Sequence, residues 1–118
     1  MTDIYIGGRG SGKTTRMIEE CSKNKGSVIV CPSLHDADYV AHMAEELGID
    51  IPKPISFAMF CNIRNHRIGA YTGYFFDRLD AALQMTAGFA KIHSATFEET
   101  PVTFLEDISL KNLKGEQQ

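Results

Sequence analysis

Residues Gly7 to Thr14 read Gly-Gly-Arg-Gly-Ser-Gly-Lys-Thr, which is the pattern G-x-x-x-x-G-K-S/T without a gap. Each residue type in it suits the holding of a phosphate. Gly7, Gly8, Gly10 and Gly12 can adopt positive φ and let the backbone come close to an anion. Successive backbone N–H groups then converge into a cradle for phosphate oxygens. A helix opening at about Lys13 adds unpaired N–H donors and the positive end of its dipole. Lys13 has the charge and reach for the outer phosphates of a polyphosphate, and the Thr14 hydroxyl is a hard donor suited to Mg²⁺. The expected cradle is Gly7, Gly8, Arg9, Gly10, Ser11, Gly12, Lys13, Thr14 and Thr15. A ligand-free glycine turn is the bland alternative, but such a turn requires neither the Lys-Thr pair nor four glycines.

Magnesium held this way needs an acidic partner, and the chemistry favours an Asp at the end of a neighbouring apolar strand. Tyr74-Phe75-Phe76-Asp77 has that form, so Thr14 and Asp77 are the expected metal ligands. The competing reading of Asp77 is a helix-capping Asp after an ordinary strand.

These residues have to be positioned by the elements around them. Asp3-Ile4-Tyr5-Ile6 is β-prone and precedes the loop, and a helix over about Lys13 to Asn24 follows it. Ser27-Val28-Ile29-Val30-Cys31 is an unbroken apolar run bounded by Gly26 and Pro32, which predicts a strand covered on both faces. Ser33 is placed to cap a helix over about His35 to Leu47, with Ala37, Val40, Ala41, Ala44 and Leu47 at helical spacing and Gly48 at its end. Pro52 and Pro54 impose an extended connector. A short strand is expected at Ile55 to Phe57, a helical turn over Ala58 to Ile63, and a polar loop over Asn62 to Arg67. Further strands are expected at Tyr74 to Phe76, Lys91 to Phe97 and Val102 to Leu105, with a helix over Asp80 to Ala87 closed by Gly88.

Alternating strands and helices predict an α/β fold: a three-layer α/β/α sandwich with a mostly parallel sheet of about five strands. Ligands of such sheets bind at the carboxyl ends of the strands, so the loops after Ile6, Cys31, Phe76 and Phe97 are expected on one rim. One domain over residues 1–110 and a polar tail over 111–118 are expected from the 118-residue length and the tail's composition.

The formal net charge of −3 argues against a surface devoted wholly to nucleic acid. No apolar run approaches the roughly 20 residues of a membrane span, and the N-terminus carries no secretory pattern. Cys21, Cys31 and Cys61 form neither a zinc pattern nor a disulfide framework, which suits buried thiols in a cytoplasm. His35, His42, His66 and His93 have no metal-ligand spacing. Met17, Met43, Met59 and Met85 read as gap-filling core residues. Tyr71, Tyr74, Phe75 and Phe76 read as core in preference to a stacking platform.

On Gly7–Thr14, Asp77 and the strand–helix order, the chain resembles P-loop NTPases, in particular the first motor domain of RecA-like and helicase ATPases. Its outline is similar to small ATPase-like proteins carried by bacteriophages and mobile elements. The resemblance spans most of residues 3–97, and Ser94-Ala95-Thr96 is similar to a helicase motif. It implies the P-loop NTPase fold, binding of ATP or another nucleoside triphosphate with Mg²⁺, and a host-cytoplasmic setting for a phage-encoded chain. Where those families follow the Asp with a catalytic Glu, this chain has Arg78, which cannot accept a proton from water. Asp80 is the substitute named here, beside Lys13, as a catalytic residue; Glu98 and Glu99 are further candidates. The second motor domain and its arginine finger, worth roughly 10³–10⁵ in rate, have no counterpart in these 118 residues. The implied activity is therefore nucleotide binding with weak or partner-dependent hydrolysis. The expected partners are the nucleotide, and nucleic acid or a second subunit supplying an arginine, in an oligomer; no membrane is expected. Arg64, His66 and Arg67 are the residues named for a phosphate backbone or a neighbouring subunit, against a solvated loop as the plain alternative.

Two other classes compete. A non-catalytic adaptor that keeps a nucleotide as a structural ligand is favoured by the missing Glu. A small-molecule or nucleoside kinase is disfavoured because the region after Ala87 lacks a lid rich in arginine. The guanine signature Asn-Lys-x-Asp is absent, since Asn24-Lys25-Gly26-Ser27 lacks the final Asp.

Overall fold

The computed structural model describes residues 3–8, 10–66, 71–98 and 101–105, with the backbone alone for residues 63–66. The polar tail over 111–118, Arg9, Arg67 and Glu99 lie outside the described residues, as do the side chains of Arg64 and His66. The chain divides into two compact units, one built from Met1–Lys13 and His93–Gln118, the other from Thr14–Ile92.

In the first unit, β1 (Ile4–Gly7) pairs in parallel with a strand at Val102–Leu105, in the register Ile4↔Val102 to Gly7↔Leu105. The Ile4 N–H donates to Pro101 O at 3.0 Å and extends the ladder by one step. Lys91–Phe97, expected as a strand, is neither helix nor strand and is exposed throughout. Its apolar residues, Ile92, Ala95 and Phe97, do not repeat every second position. Nothing in the sequence therefore gives it one consistent face to bury. The Phe97 loop accordingly does not follow a strand end.

The second unit is organised by β2 (Ser27–Cys31), all five residues of which are buried. It pairs in parallel with β3 (Ile55–Ser56) on one side and β4 (Gly73–Phe76) on the other. Its side chains alternate between two cores. Ile29 and Cys31 pack with Ile18 and Cys21 of α1 (Lys13–Lys23) and with Ala37, Val40 and Ala44 of α2 (Leu34–Leu47). Val28 and Val30 face the opposite way, toward Ile55 and the rings of Phe57 and Phe60 on α3 (Phe57–His66). An unbroken apolar run is what a strand covered on both faces requires.

Local chemistry explains the boundaries. The Ser33 Oγ accepts the Asp36 N–H at 3.2 Å and starts α2, and Gly48 ends it in the left-handed cap conformation, donating to Ala44 O and Glu45 O. The helix after Ser56 runs to His66, past the expected stop at Ile63, so residues 62–66 are helical and not loop. Phe60 anchors it, its ring meeting Tyr74 at 4.9 Å and Phe76 at 5.0 Å in edge-on geometry. Tyr71, Tyr74 and Phe76 pack against the core on this face of β2, and Phe75 packs against the core on the other. Leu47, Met59 and Met85 are exposed, against their reading as core; Leu47 shares the spacing of Val40 and Ala44 but is the last residue of α2. The last helix, α4 (Leu79–Ala87), buries Ala82 and closes at Gly88; the strand Val102–Leu105 is β5. No helix among the described residues is long and apolar enough to cross a membrane.

Ile29 is fully buried in the middle of the central strand. Ile29→Ala should lower the unfolding free energy by about 3 kcal/mol, read from urea denaturation.

Candidate functional site

The loop between β1 and α1 is built around Lys13. Its Nζ donates to Gly7 O at 2.6 Å, to Gly8 O at 2.8 Å and to Ser11 Oγ at 3.4 Å. The Ser11 N–H closes the turn on Gly8 O at 3.2 Å. Gly10 and Gly12 hold φ of 81° and 82°, which side chains with a Cβ rarely adopt. Gly7 has a different role from the one its sequence suggests. It lies in β1, and a Cβ there would stand 2.5 Å from Ser11 Oγ and 2.9 Å from Leu105 O. Its requirement is close packing and not positive φ.

The second unit carries the acidic side. Parallel pairing sets Val30 beside Phe76, and the Asp77 N–H then donates to Val30 O at 2.9 Å. That register brings the ends of β2 and β4 together, as expected of the loops after Cys31 and Phe76. Asp77 is 6% exposed, and Thr14 Oγ1 approaches its two carboxylate oxygens at 3.3 and 3.5 Å across 63 positions of sequence. The two residues named separately as metal ligands thus share one place. The N-cap position of α4 belongs to Arg78, whose side chain makes no capping bond, and Asp77 stands one residue before it. Asp80 lies in the exposed first turn of α4. Thr15 is half-buried on α1.

A hydroxyl and a carboxylate are hard oxygen donors that fit Mg²⁺, which keeps several waters and takes its remaining oxygens from phosphates. Among the described residues there is no group of three or more His, Cys, Asp or Glu able to hold a metal.

The sequence reading missed two neighbours of this place. Asp36, in the first turn of α2, receives Arg78 Nη1 at 3.5 Å and Ser33 Oγ at 2.7 Å. Cys31, fully buried at the end of β2, has its thiol pushed up to about 12 from 9.0. Burial is the main cause, the charges of Asp77 and Asp36 add to it, and Arg78 opposes them. Burial also pushes up the Cys21 thiol, whose Sγ lies 3.6 Å from Ser27 O. All three cysteines are free thiols. The apolar run containing Cys31 signalled its burial, but no local signal pairs residue 36 with residue 78.

Comparison with protein-family models, curated proteins and solved structures gives no match.

The raised Cys31 thiol has a definite pH signature. Below the ordinary thiol value, 9.0, folded and unfolded chains both keep the proton and the contribution is complete. Between 9.0 and about 12 only the unfolded chain ionises there, so stability falls as pH rises. The loss approaches about 1.4 kcal/mol per pH unit. Urea denaturation from pH 9 upward should show a steeper decline for the wild type than for Cys31→Ala, which is the less stable of the two at neutral pH.

Proposed function

We propose that this chain binds a nucleoside triphosphate, ATP in the first instance, together with Mg²⁺, as a minimal P-loop NTPase. The observation that carries this reading is the approach of Thr14 Oγ1 to the Asp77 carboxylate. The phosphate-loop pattern makes Thr14 a metal ligand, and an independent apolar strand makes Asp77 one. Among the described residues the strands form a parallel pair and a separate parallel sheet of three in place of one sheet of about five, and helices on both faces of β2 support the α/β class to which that fold belongs.

The division of labour follows from the residues. The amides of Gly8 to Thr14 and the ammonium of Lys13 take the phosphates, with Gly10 and Gly12 providing the backbone conformation. Lys13 exchanges its present oxygen partners in the loop for phosphate oxygens. Thr14 and Asp77 would hold Mg²⁺, which when bound screens the charge of the outer phosphates. Asp80 and Lys13 remain the proposed catalytic residues. Arg78 directly after Asp77 leaves the position of the usual water-polarising Glu with a permanent cation. Hydrolysis by the isolated chain is therefore slow, and a partner supplying an arginine would raise it. The same arginine favours a second reading, an adaptor that keeps the nucleotide as a structural ligand. A role on nucleic acid or in an oligomer is consistent with this site and is not required by it.

Thermal-shift measurements with ATP, ADP and GTP, each with and without Mg²⁺, test the reading. A triphosphate at about 100 times its Kd should stabilise the wild type by about 2.7 kcal/mol. Lys13→Ala should abolish that shift, and Asp77→Asn should remove its Mg²⁺ dependence; a shift that persists in Lys13→Ala would sink the reading. In a phosphate-release assay the chain alone should turn over far less than once per second. Several turnovers per second without a partner would show that the missing Glu has a working substitute.

A further inference from the structure

Resting on the reading of Thr14 and Asp77 as a Mg²⁺ site, we propose that Asp36 is a positioning residue for that site. It restrains the Arg78 guanidinium on the α2 side and keeps it from competing with Mg²⁺ for the Asp77 carboxylate.

An arginine immediately after a metal-ligating carboxylate is a hazard. The guanidinium is always charged, and its fork of N–H donors matches a carboxylate closely. Folded onto Asp77, it would supply internally the charge that Mg²⁺ has to bring. Two features of this structure act against that. First, Arg78 has φ 54° and ψ 53°, the one positive φ outside glycine among the described residues. This left-handed turn carries a steric penalty for any residue with a Cβ, so the surrounding contacts must hold it in place. Second, Arg78 Nη1 donates to Asp36 Oδ1 at 3.5 Å.

Asp36 is itself anchored independently of Arg78. Ser33 Oγ donates to its other oxygen, Oδ2, at 2.7 Å, and the Asp36 N–H donates back to Ser33 Oγ at 3.2 Å. The parallel pairing of β2 with β4 brings this anchored carboxylate to the rim where Asp77 sits.

Four proteins test the proposal: wild type, Asp36→Asn, Arg78→Gly and the double variant. Asparagine keeps the shape of Asp36 and its acceptor for Ser33 while removing the charge. Glycine removes the guanidinium and suits the left-handed backbone. The readout is the Mg²⁺ concentration needed for half-maximal binding of a fluorescent ATP analogue, with analogue affinity in EDTA measured alongside. Asp36→Asn should weaken Mg²⁺ by roughly two- to fivefold, the range of a partly exposed ion pair, without changing binding in EDTA. Arg78→Gly should bind Mg²⁺ at least as tightly as wild type, and the double variant should match Arg78→Gly. An Asp36→Asn protein with wild-type Mg²⁺ dependence overturns the proposal. So does a double variant that keeps the Asp36→Asn loss, because Asp36 would then act without Arg78. A wild type that binds no analogue with Mg²⁺ overturns the nucleotide reading, and this role of Asp36 falls with it.

Discussion

Asp77 donates its backbone N–H to Val30 O at 2.9 Å, one step beyond the Val30↔Phe76 pair that closes the β2–β4 ladder. The acidic side of the site depends on this register. Side chains alternate along a strand, so a slip of one residue would send Asp77 to the opposite face. The register also decides packing. Phase along β2 sends Ile29 and Cys31 toward α1 and α2, and Val28 and Val30 toward α3. A slip would therefore expose apolar surface as well as misplace the carboxylate, and the buried residues on both faces guard the position of Asp77.

Legibility in the sequence tracks how local the deciding interaction is. β2 is recovered over Ser27–Cys31 because its apolar run is continuous and is punctuated by Gly26 and Pro32. Helix α2 begins and ends as read because Ser33 and Gly48 act within four residues of themselves. Residues 62–66 look polar and loop-like, yet they continue α3, because the Phe60 contacts with Tyr74 and Phe76 hold that helix from across the fold. Lys91–Phe97 fails for the converse reason: β-prone residues alone do not make a strand without a neighbour to bury them. Half of the site follows the same rule. Gly7–Thr14 is a contiguous pattern, and Asp77 ends a recognisable run, but Asp36 and Arg78 meet across 42 positions that carry no shared pattern.

Burial organises the charges as well. Asp77 is nearly inaccessible, whereas Asp36 and Arg78 are partly solvated. Water screens the Asp36–Arg78 pair, so its intrinsic worth is small, within the range of exposed ion pairs. Asp77 lies where screening is weaker, and a charge brought beside it changes its energy more. A modest pair in solvent can therefore govern a larger effect one residue away. Cys31 marks the gradient, its thiol pushed up to about 12 by burial first and by the charges of Asp77 and Asp36 second. A thiol held protonated there neither competes for a metal nor adds a negative charge at neutral pH.

The loop of the first unit poses a related question of competition. The Lys13 ammonium is shared among Gly7 O, Gly8 O and Ser11 Oγ, so a phosphate gains only the difference between its own oxygens and those three. Two of the three are neutral carbonyls, and a phosphate oxygen carries formal charge, so the exchange favours the anion. What the loop gains from its present arrangement is order. With Lys13 tied to the loop backbone and Gly10 and Gly12 already at positive φ, binding on the proposed reading would cost the loop less conformational entropy. Thr14 follows Lys13 directly and is already in contact with Asp77. On the proposed reading, the pair that would take the metal is therefore in place within the second unit, and Arg78 in the position of the usual water-polarising Glu is what separates binding from turnover.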